Sequence, residues 1–538
     1  MSDILPFDRP EFADRVAANQ RRLTADLHGS YDFIVCGAGS SGSVVARRLA
    51  ENPSVRVLLI EAGGSDDMPT VMDPMAWAAN LGSANDWGYV TEPNPHLNGR
   101  ALPLNAGKVV GGGSSINVMV WARGHRSDWD HFAKETGDES WGYDSVLGIY
   151  RDIEDWQGRP DPRRRGTGGP LYVQPVPDPG PAAVAMVDAA REIGIPTFAS
   201  ANGEMMEGDG GCAFEDVLIR NGRRNSIFRA FTYPVLDQPN ITLLTGTQVT
   251  RVIVERGKAV GVEAVREGRR LRFAADREVV LSLGAIQTPA LLMRSGIGDE
   301  GELRQHEIPA ILPLPGVGAN LQDHVAFCCI WEYREPIAPR NTGSAATLYW
   351  KTDPSLPSPD LLFCQVEFPV PSPETALRGV PAHGWTMFAG LAQPKSRGRV
   401  RLRSADPLAA PRIEHSALSD PEDVRAAIAA VDLCRRLGST RAFDPLVVRE
   451  SLPGELGPAE MEQFVRDAAV TYWHPTGTAR MGRDEMSVVD GKLRVYGIDR
   501  LRIADGSVMP RIATGNTMAP CVVIGEKAAR AIRAEHGF

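Results

Sequence analysis

Six residues, Gly37-Ala38-Gly39-Ser40-Ser41-Gly42, have the composition of a turn that holds a phosphate. Glycine at the first position permits a tight turn. At the second it lets backbone approach a pyrophosphate, and at the third it lets a helix pack closely on a strand. A helix starting there offers free N–H groups and the positive end of its dipole to the anion. Glu61 follows nineteen residues after Gly42, where a carboxylate can accept hydrogen bonds from both ribose hydroxyls of an adenosine. The pattern predicts a dinucleotide site without separating FAD from NAD.

Such a turn must be carried by a βαβ unit, and the flanking residues supply one. They read as a strand over 32–36, a helix through Ala46 and Leu49, and a strand over 55–60. Two more glycine-rich stretches suit a flat cofactor. Residues 107–117 (GKVVGGGSSIN) are poor for the interior of a helix or strand, yet Val109, Val110 and Ile116 argue for burial. Residues 284–289 (GAIQTP) follow an apolar strand over 279–283 and open a helix, a second strand-to-helix turn.

Farther out, 182–192 reads as a helix, and 241–244, 249–255 and 259–265 alternate as strands around an Arg256–Gly257 turn. Proline-punctuated strands over 326–333 and 361–367 precede helices over 422–437 and 458–468, and a last helix spans 519–534. Residues 1–29 predict an amphipathic helical arm with Phe12, Val16 and Leu23 on its apolar side.

The 538 residues exceed one compact domain and predict two lobes. The net charge of −9 comes from scattered acids, which excludes a clustered basic face for nucleic acid or anionic membrane. The one tight basic run, Arg163 to Arg165, reads as a solvated loop. No apolar run approaches the roughly 18 residues of a membrane span, and the N-terminus lacks the apolar core of a signal peptide. The seven cysteines form neither a CxxC nor a metal-ligand spacing. That odd number suggests reduced thiols, no resident metal and a cytoplasmic home.

Taken together, the 107–117 segment and the 284–298 segment (GAIQTPALLMRSGIG), the latter at every position of its signature, the 320–324 (NLQDH) and 472–478 (YWHPTGT) segments, and 501–505 (LRIAD) with Thr514-Gly515-Asn516 resemble the glucose–methanol–choline (GMC) oxidoreductase family. The likeness lies with its choline dehydrogenase-like and alcohol oxidase-like bacterial branch. The matches run in family order from about 31 to 532.

The resemblance implies an α/β fold, with a Rossmann-like FAD-binding lobe into which an α+β substrate-binding lobe of antiparallel sheet and helices is inserted. The expected boundaries are 30–155, 240–322 and 470–538 for the first lobe, and 156–239 and 323–469 for the second. It implies FAD-dependent oxidation of a primary or secondary alcohol by hydride transfer, with oxygen or another electron acceptor as the partner that reoxidises the flavin.

Carried over residue by residue, the resemblance places Gly37, Gly39, Ser40, Ser41, Gly42, Glu61 and Ala62 at the ADP half and Val249 at the adenine. It places Gly111, Ser114, Asn117, Val118 and Met119 along pyrophosphate and flavin. Asp505 and Gly506 fall near the ribityl or phosphate, Asn516 and Thr517 near the pyrimidine, and Trp473 beside the ring. Ile116 stands where some relatives attach the flavin through histidine, so non-covalent FAD is expected.

His474 matches the family's catalytic base, a role suited to a neutral imidazole. Counting back from 524–527 puts the usual histidine or asparagine partner at Met518, whose thioether can neither shuttle a proton nor donate a hydrogen bond. Asn516 or a water can substitute, His474 can act alone, or the activity has drifted. The last keeps a redox-inert lyase of the hydroxynitrile type open as the alternative.

Overall fold

The computed structural model describes Phe7 and residues 9–538; residues 1–6 and 8, the beginning of the expected arm, lie outside the described residues. Ser30–Cys36 ends in four buried positions, as a central strand covered on both faces requires. It pairs in parallel with Val57–Ile60 on one side and with the second half of Arg269–Leu281 on the other. Ile241–Leu244 and Leu501–Ile503 extend the parallel part. The first half of Arg269–Leu281 instead joins Lys258–Arg266 and Thr247–Glu255 in an antiparallel meander. One seven-stranded sheet therefore collects three separated stretches of sequence. Helices Ser40–Ala50 and Met518–His536 pack together against it.

A second, eight-stranded sheet is centred on Val325–Tyr333, Gly384–Leu391, Leu361–Val366 and Ala346–Trp350, all antiparallel. Its strands alternate with period two. Leu361 and Phe363 enter the main core, whereas Leu362 and Val366 face a separate apolar cluster with Phe388 and Tyr472. Helices Pro181–Glu192 and Pro421–Gly438 cover the core side. Ala469–Thr471 also pairs with Val325–Tyr333, so the chain leaves this sheet only after Thr471.

Helix Pro10–Ala25 buries Phe12, Val16 and Leu23. It seals the open edge of Ile241–Leu244. The Gln20 amide donates to the Ile241 carbonyl at 3.0 Å and accepts from the Leu243 N–H at 2.9 Å, substituting for a missing neighbour strand.

The expected solvated loop at 163–165 is corrected for two of its three residues. Arg163 is exposed, but Arg164 pairs with Glu207 at 3.0 Å, and Arg165 is buried between Glu154, at 3.0 Å, and Asp216. Arg123 completes the cluster at 2.5 Å from Glu154. Buried carboxylates recruit guanidinium partners because an unpaired charge there is costly. No described helix is long and apolar enough to cross a membrane.

Candidate active site

A continuous cavity runs from the glycine turn of the first sheet to the apolar face of the second. Gly37 has φ +99°, and a Cβ on it would lie 2.3 Å from the Ser282 carbonyl oxygen, so only glycine fits. Gly112 has φ +54°, and a Cβ there would come within 2.9 Å of the Gly39 Cα. The two glycine-rich segments thus lie backbone to backbone, tied by the Gly111 N–H to the Ala38 carbonyl at 2.7 Å. Glu61 accepts from the Ala38 and Gly63 N–H groups at 2.9 and 2.8 Å and lines the cavity beside Ala62. The buried Ser282 hydroxyl lines the same stretch without a protein partner. Open backbone, a carboxylate and an orphan hydroxyl in sequence form a cradle that fits the ADP half of FAD.

Asp505 stitches this region together. Its carboxylate accepts from the Gly284 N–H at 2.9 Å, the Thr288 hydroxyl at 2.6 Å and the Ser507 N–H at 2.8 Å. Burial raises its pKa against the pull of those donors. Thr517, Met518 and Cys521 bring the first turn of helix Met518–His536 to the cavity, and no side chain caps that end.

At the far end stands His474. Its N–H donates to Asp323 at 2.8 Å, and Asp323 also binds the Thr471 hydroxyl and the His415 ring, the latter at 3.0 Å. Trp473 takes a left-handed φ of 59° to deliver the histidine. Burial alone would raise the Asp323 pKa; His415 and Thr471 hold it below the usual value. The His474 Nδ1 lies 2.9 Å from the Nδ1 of His324, whose Nε2 lies 3.0 Å from the Ala392 carbonyl. That carbonyl can only accept, so His324 carries its proton on Nε2 and presents a lone pair at Nδ1. His474 must then donate from Nδ1, which leaves its Nε2 unprotonated. Burial pushes the pKa values of His474 and His324 down to about 3 and about 4. The result is a neutral imidazole with one oriented basic lone pair facing the cavity.

Asn516 occupies the position opposite this nitrogen, its Nδ2 being 3.4 Å from the His474 Nε2. Of the readings left open for a methionine at 518, this is the one in which Asn516 substitutes. Met518 begins the helix, lines the same cavity and takes the Asn117 amide on its sulfur at 3.1 Å. Asn117 is held in turn by Arg224, at 3.0 Å.

Of the other expected residues, Gly37, Gly39, Ser40, Ser41, Ser114, Asn117, Val118, Trp473, Gly506 and Thr517 line this cavity. Val249 lines a small pocket beside it that shares Ala62 and Leu283. Gly42, Gly111 and Met119 do not line either one. Gly42 is buried in the first turn of helix Ser40–Ala50, Gly111 supports its neighbours, and the Met119 side chain packs in the core. The reading from sequence missed His324, Asp323 and Glu215. The Asp-His pair inside 320–324 was visible as a motif, but its approach to His474 was not. Among the described residues no cluster of His, Cys, Asp and Glu is placed to hold a metal ion.

This two-lobed fold with a nucleotide cradle leading to a histidine–asparagine pair defines a flavoprotein oxidoreductase, and the chain belongs to the GMC oxidoreductase family. The N-terminal family profile matches residues 31–326 and the C-terminal one residues 394–525. The chain is 36% identical to the alcohol dehydrogenase [acceptor] of Pseudomonas putida, over 93% of this chain and 95% of that one. It is 37% identical to the oxygen-dependent choline dehydrogenase of Klebsiella pneumoniae, over 94% and 96%. Among solved structures it is similar to pyridoxine 4-oxidase from Mesorbium loti, with a TM-score of 0.90 and 33% identity, covering 95% of this chain and 100% of that one. The cofactor is FAD, the fold is that of the family, and the protein is an enzyme acting on CH–OH donors. Isoleucine at 116 offers no nucleophile for a covalent link to FAD.

Proposed function

We propose that the protein oxidises a primary or secondary alcohol to an aldehyde or ketone, with His474 as the general base. The observation that carries this reading is the unprotonated Nε2 of His474, set by the His324 contact and met by the Asn516 amide at 3.4 Å on the cavity wall. Bound FAD supplies a two-electron acceptor for the hydride. The protein's own part is to take the hydroxyl proton at His474 Nε2, steady the developing alkoxide with the Asn516 amide, and hold the alcohol carbon in line. The uncapped first turn of helix Met518–His536 would offer N–H groups and a partial positive charge to a bound cofactor that gains negative charge. Oxygen or another electron acceptor restores the cofactor.

The alternative is a redox-inert lyase on the same fold; an amide at 3.4 Å from His474 Nε2 favours oxidation over it. Seven unpaired thiols favour a cytoplasmic setting. The test is anaerobic addition of an alcohol panel to the holoenzyme. Loss of the oxidised-flavin absorbance together with formation of a carbonyl product supports the reading; product without loss of absorbance overturns it. Oxygen and then a quinone, added to the reduced enzyme, identify the acceptor.

A further inference from the structure

Arg223 and Arg224 are adjacent, yet the first is exposed and the second only 2% exposed. A hairpin carries them. Ile219–Arg220 pairs with Arg223–Arg224 across an Asn221-Gly222 turn, whose φ values of 52° and 70° suit that dipeptide. The Leu218 N–H donates to the Met119 carbonyl at 2.9 Å and docks the hairpin against the 111–119 segment. Arg224 Nε then donates to the Val71 carbonyl at 2.7 Å. Its Nη1 donates to the Ser114 carbonyl at 3.1 Å and to Asn117 Oδ1 at 3.0 Å.

All three acceptors are neutral. Among the described residues no carboxylate pairs with Arg224, and its Nη2 has no acceptor. Asp66, the acid whose charge reaches it, is held by Arg229 at 2.6 and 2.7 Å. Arg165 and Arg502, buried to a similar degree, have two carboxylates each. At Arg224 burial is opposed only by Asp66 and pulls the pKa down to about 9, so the guanidinium stays charged at neutral pH. A buried cation without a counter-ion is costly unless an anion comes near. Ser114 and Asn117 line the cavity, and Arg224 stands directly behind them.

We propose that Arg224 is a fixed counter-charge behind the cofactor wall, a positioning residue that raises the reduction potential of bound FAD. FAD that has taken a hydride carries one more negative charge than oxidised FAD, so a fixed cation nearby binds the reduced form more tightly. Low dielectric around a buried guanidinium strengthens that attraction. Asn117 is the link. Its Oδ1 is filled by Arg224 and by the Met119 N–H at 3.0 Å, which leaves its Nδ2 for Met518 and the cavity. This role goes beyond the choice of substrate, because the potential belongs to the holoenzyme alone. The competing role is a tie between Val71, Ser114 and Asn117, which would leave the potential unchanged as long as the fold is kept.

The holoenzyme is titrated anaerobically with a reductant beside a reference dye, without any alcohol. Arg224→Met keeps a long apolar stem and removes the charge. It should lower the two-electron potential by about 30 mV or more, a tenfold loss of preference for reduced over oxidised FAD. Arg224→Lys keeps the charge without the fork and should keep most of the potential, with FAD content and Tm recorded for each. Sulfite, an anion that adds to oxidised flavin, should bind at least tenfold more weakly to Arg224→Met and less so to Arg224→Lys. If Arg224→Met does not retain FAD, the wild type decides. Its reduced flavin should give up the ring proton at least about one pH unit below free reduced FAD, a tenfold bias to the anion. An unchanged potential in Arg224→Met, an equal drop in Arg224→Lys, or a wild-type reduced flavin that titrates like free FAD overturns the proposal. An enzyme that no alcohol reduces can still show the shift, so this role and the oxidation reading fail separately.

Discussion

His324 and His474 meet through their Nδ1 atoms at 2.9 Å, and the Ala392 carbonyl behind His324 decides which of the two donates. The contact converts a rotatable, tautomerically ambiguous imidazole into a neutral ring with its lone pair fixed at Nε2. Four consequences can be measured.

His474→Ala removes the proton acceptor. The rate of flavin reduction by a good alcohol, followed anaerobically by stopped flow, should fall roughly a hundredfold or more, the scale of a lost general base. FAD should stay bound, because the cradle at Gly37, Glu61 and Gly112 lies at the other end of the cavity. A rate within a few fold of wild type would remove the histidine from the mechanism.

His324→Phe keeps a flat ring but deletes the acceptor at Nδ1. The His474 imidazole then has no reason to prefer one tautomer, so flavin reduction should slow about tenfold or more. His324→Asn, whose side-chain oxygen can accept from His474, should restore part of the rate. Equal rates in both variants would mean that His324 serves packing alone.

Asn516 and Met518 make a contrasting pair. Asn516→Ala deletes the amide opposite His474 and should cost about tenfold or more in kcat/KM, as expected for one lost transition-state donor. Met518→Leu, facing Asn117, should stay within a few fold. The reverse ranking would return Met518 to the partner position.

Acid should act on stability before it acts on the base. His474 and His324 titrate near 3 and 4 in the folded protein, below the value of about 6.5 for an unfolded chain. The unfolded state therefore binds more protons between those limits. Their contribution is fully present above about 6.5 and is lost as pH falls toward 4 and then 3. Tm should drop through this window, while the base form of His474 persists and flavin reduction shows no acid limb from it above pH ~5. A rate that declines with an apparent pKa near 6.5 would contradict the buried, neutral pair.

Much of the molecule was legible in the chain itself. The glycine turn, Glu61, the flanking strands and most helices follow from sterics and periodicity, which act between residues close in sequence. So did Phe12, Val16 and Leu23 as the apolar side of the first helix, although the edge strand that Gln20 completes was not visible. Arg163 to Arg165 shows the limit from the other side: one exposed arginine and two ion-paired ones are indistinguishable until Glu154, Asp216 and Glu207 arrive from elsewhere.

Tertiary structure alone decided the chemistry of the far end. His324 and His474 are 150 residues apart, and Asn516 rather than Met518 meets the histidine because of where one helix begins its first turn. Hydrogen bonds and ion pairs of this kind depend on distances that no local pattern encodes, so motifs could point to the cofactor and to His474 while the histidine's partners and tautomer waited on the packing of two sheets.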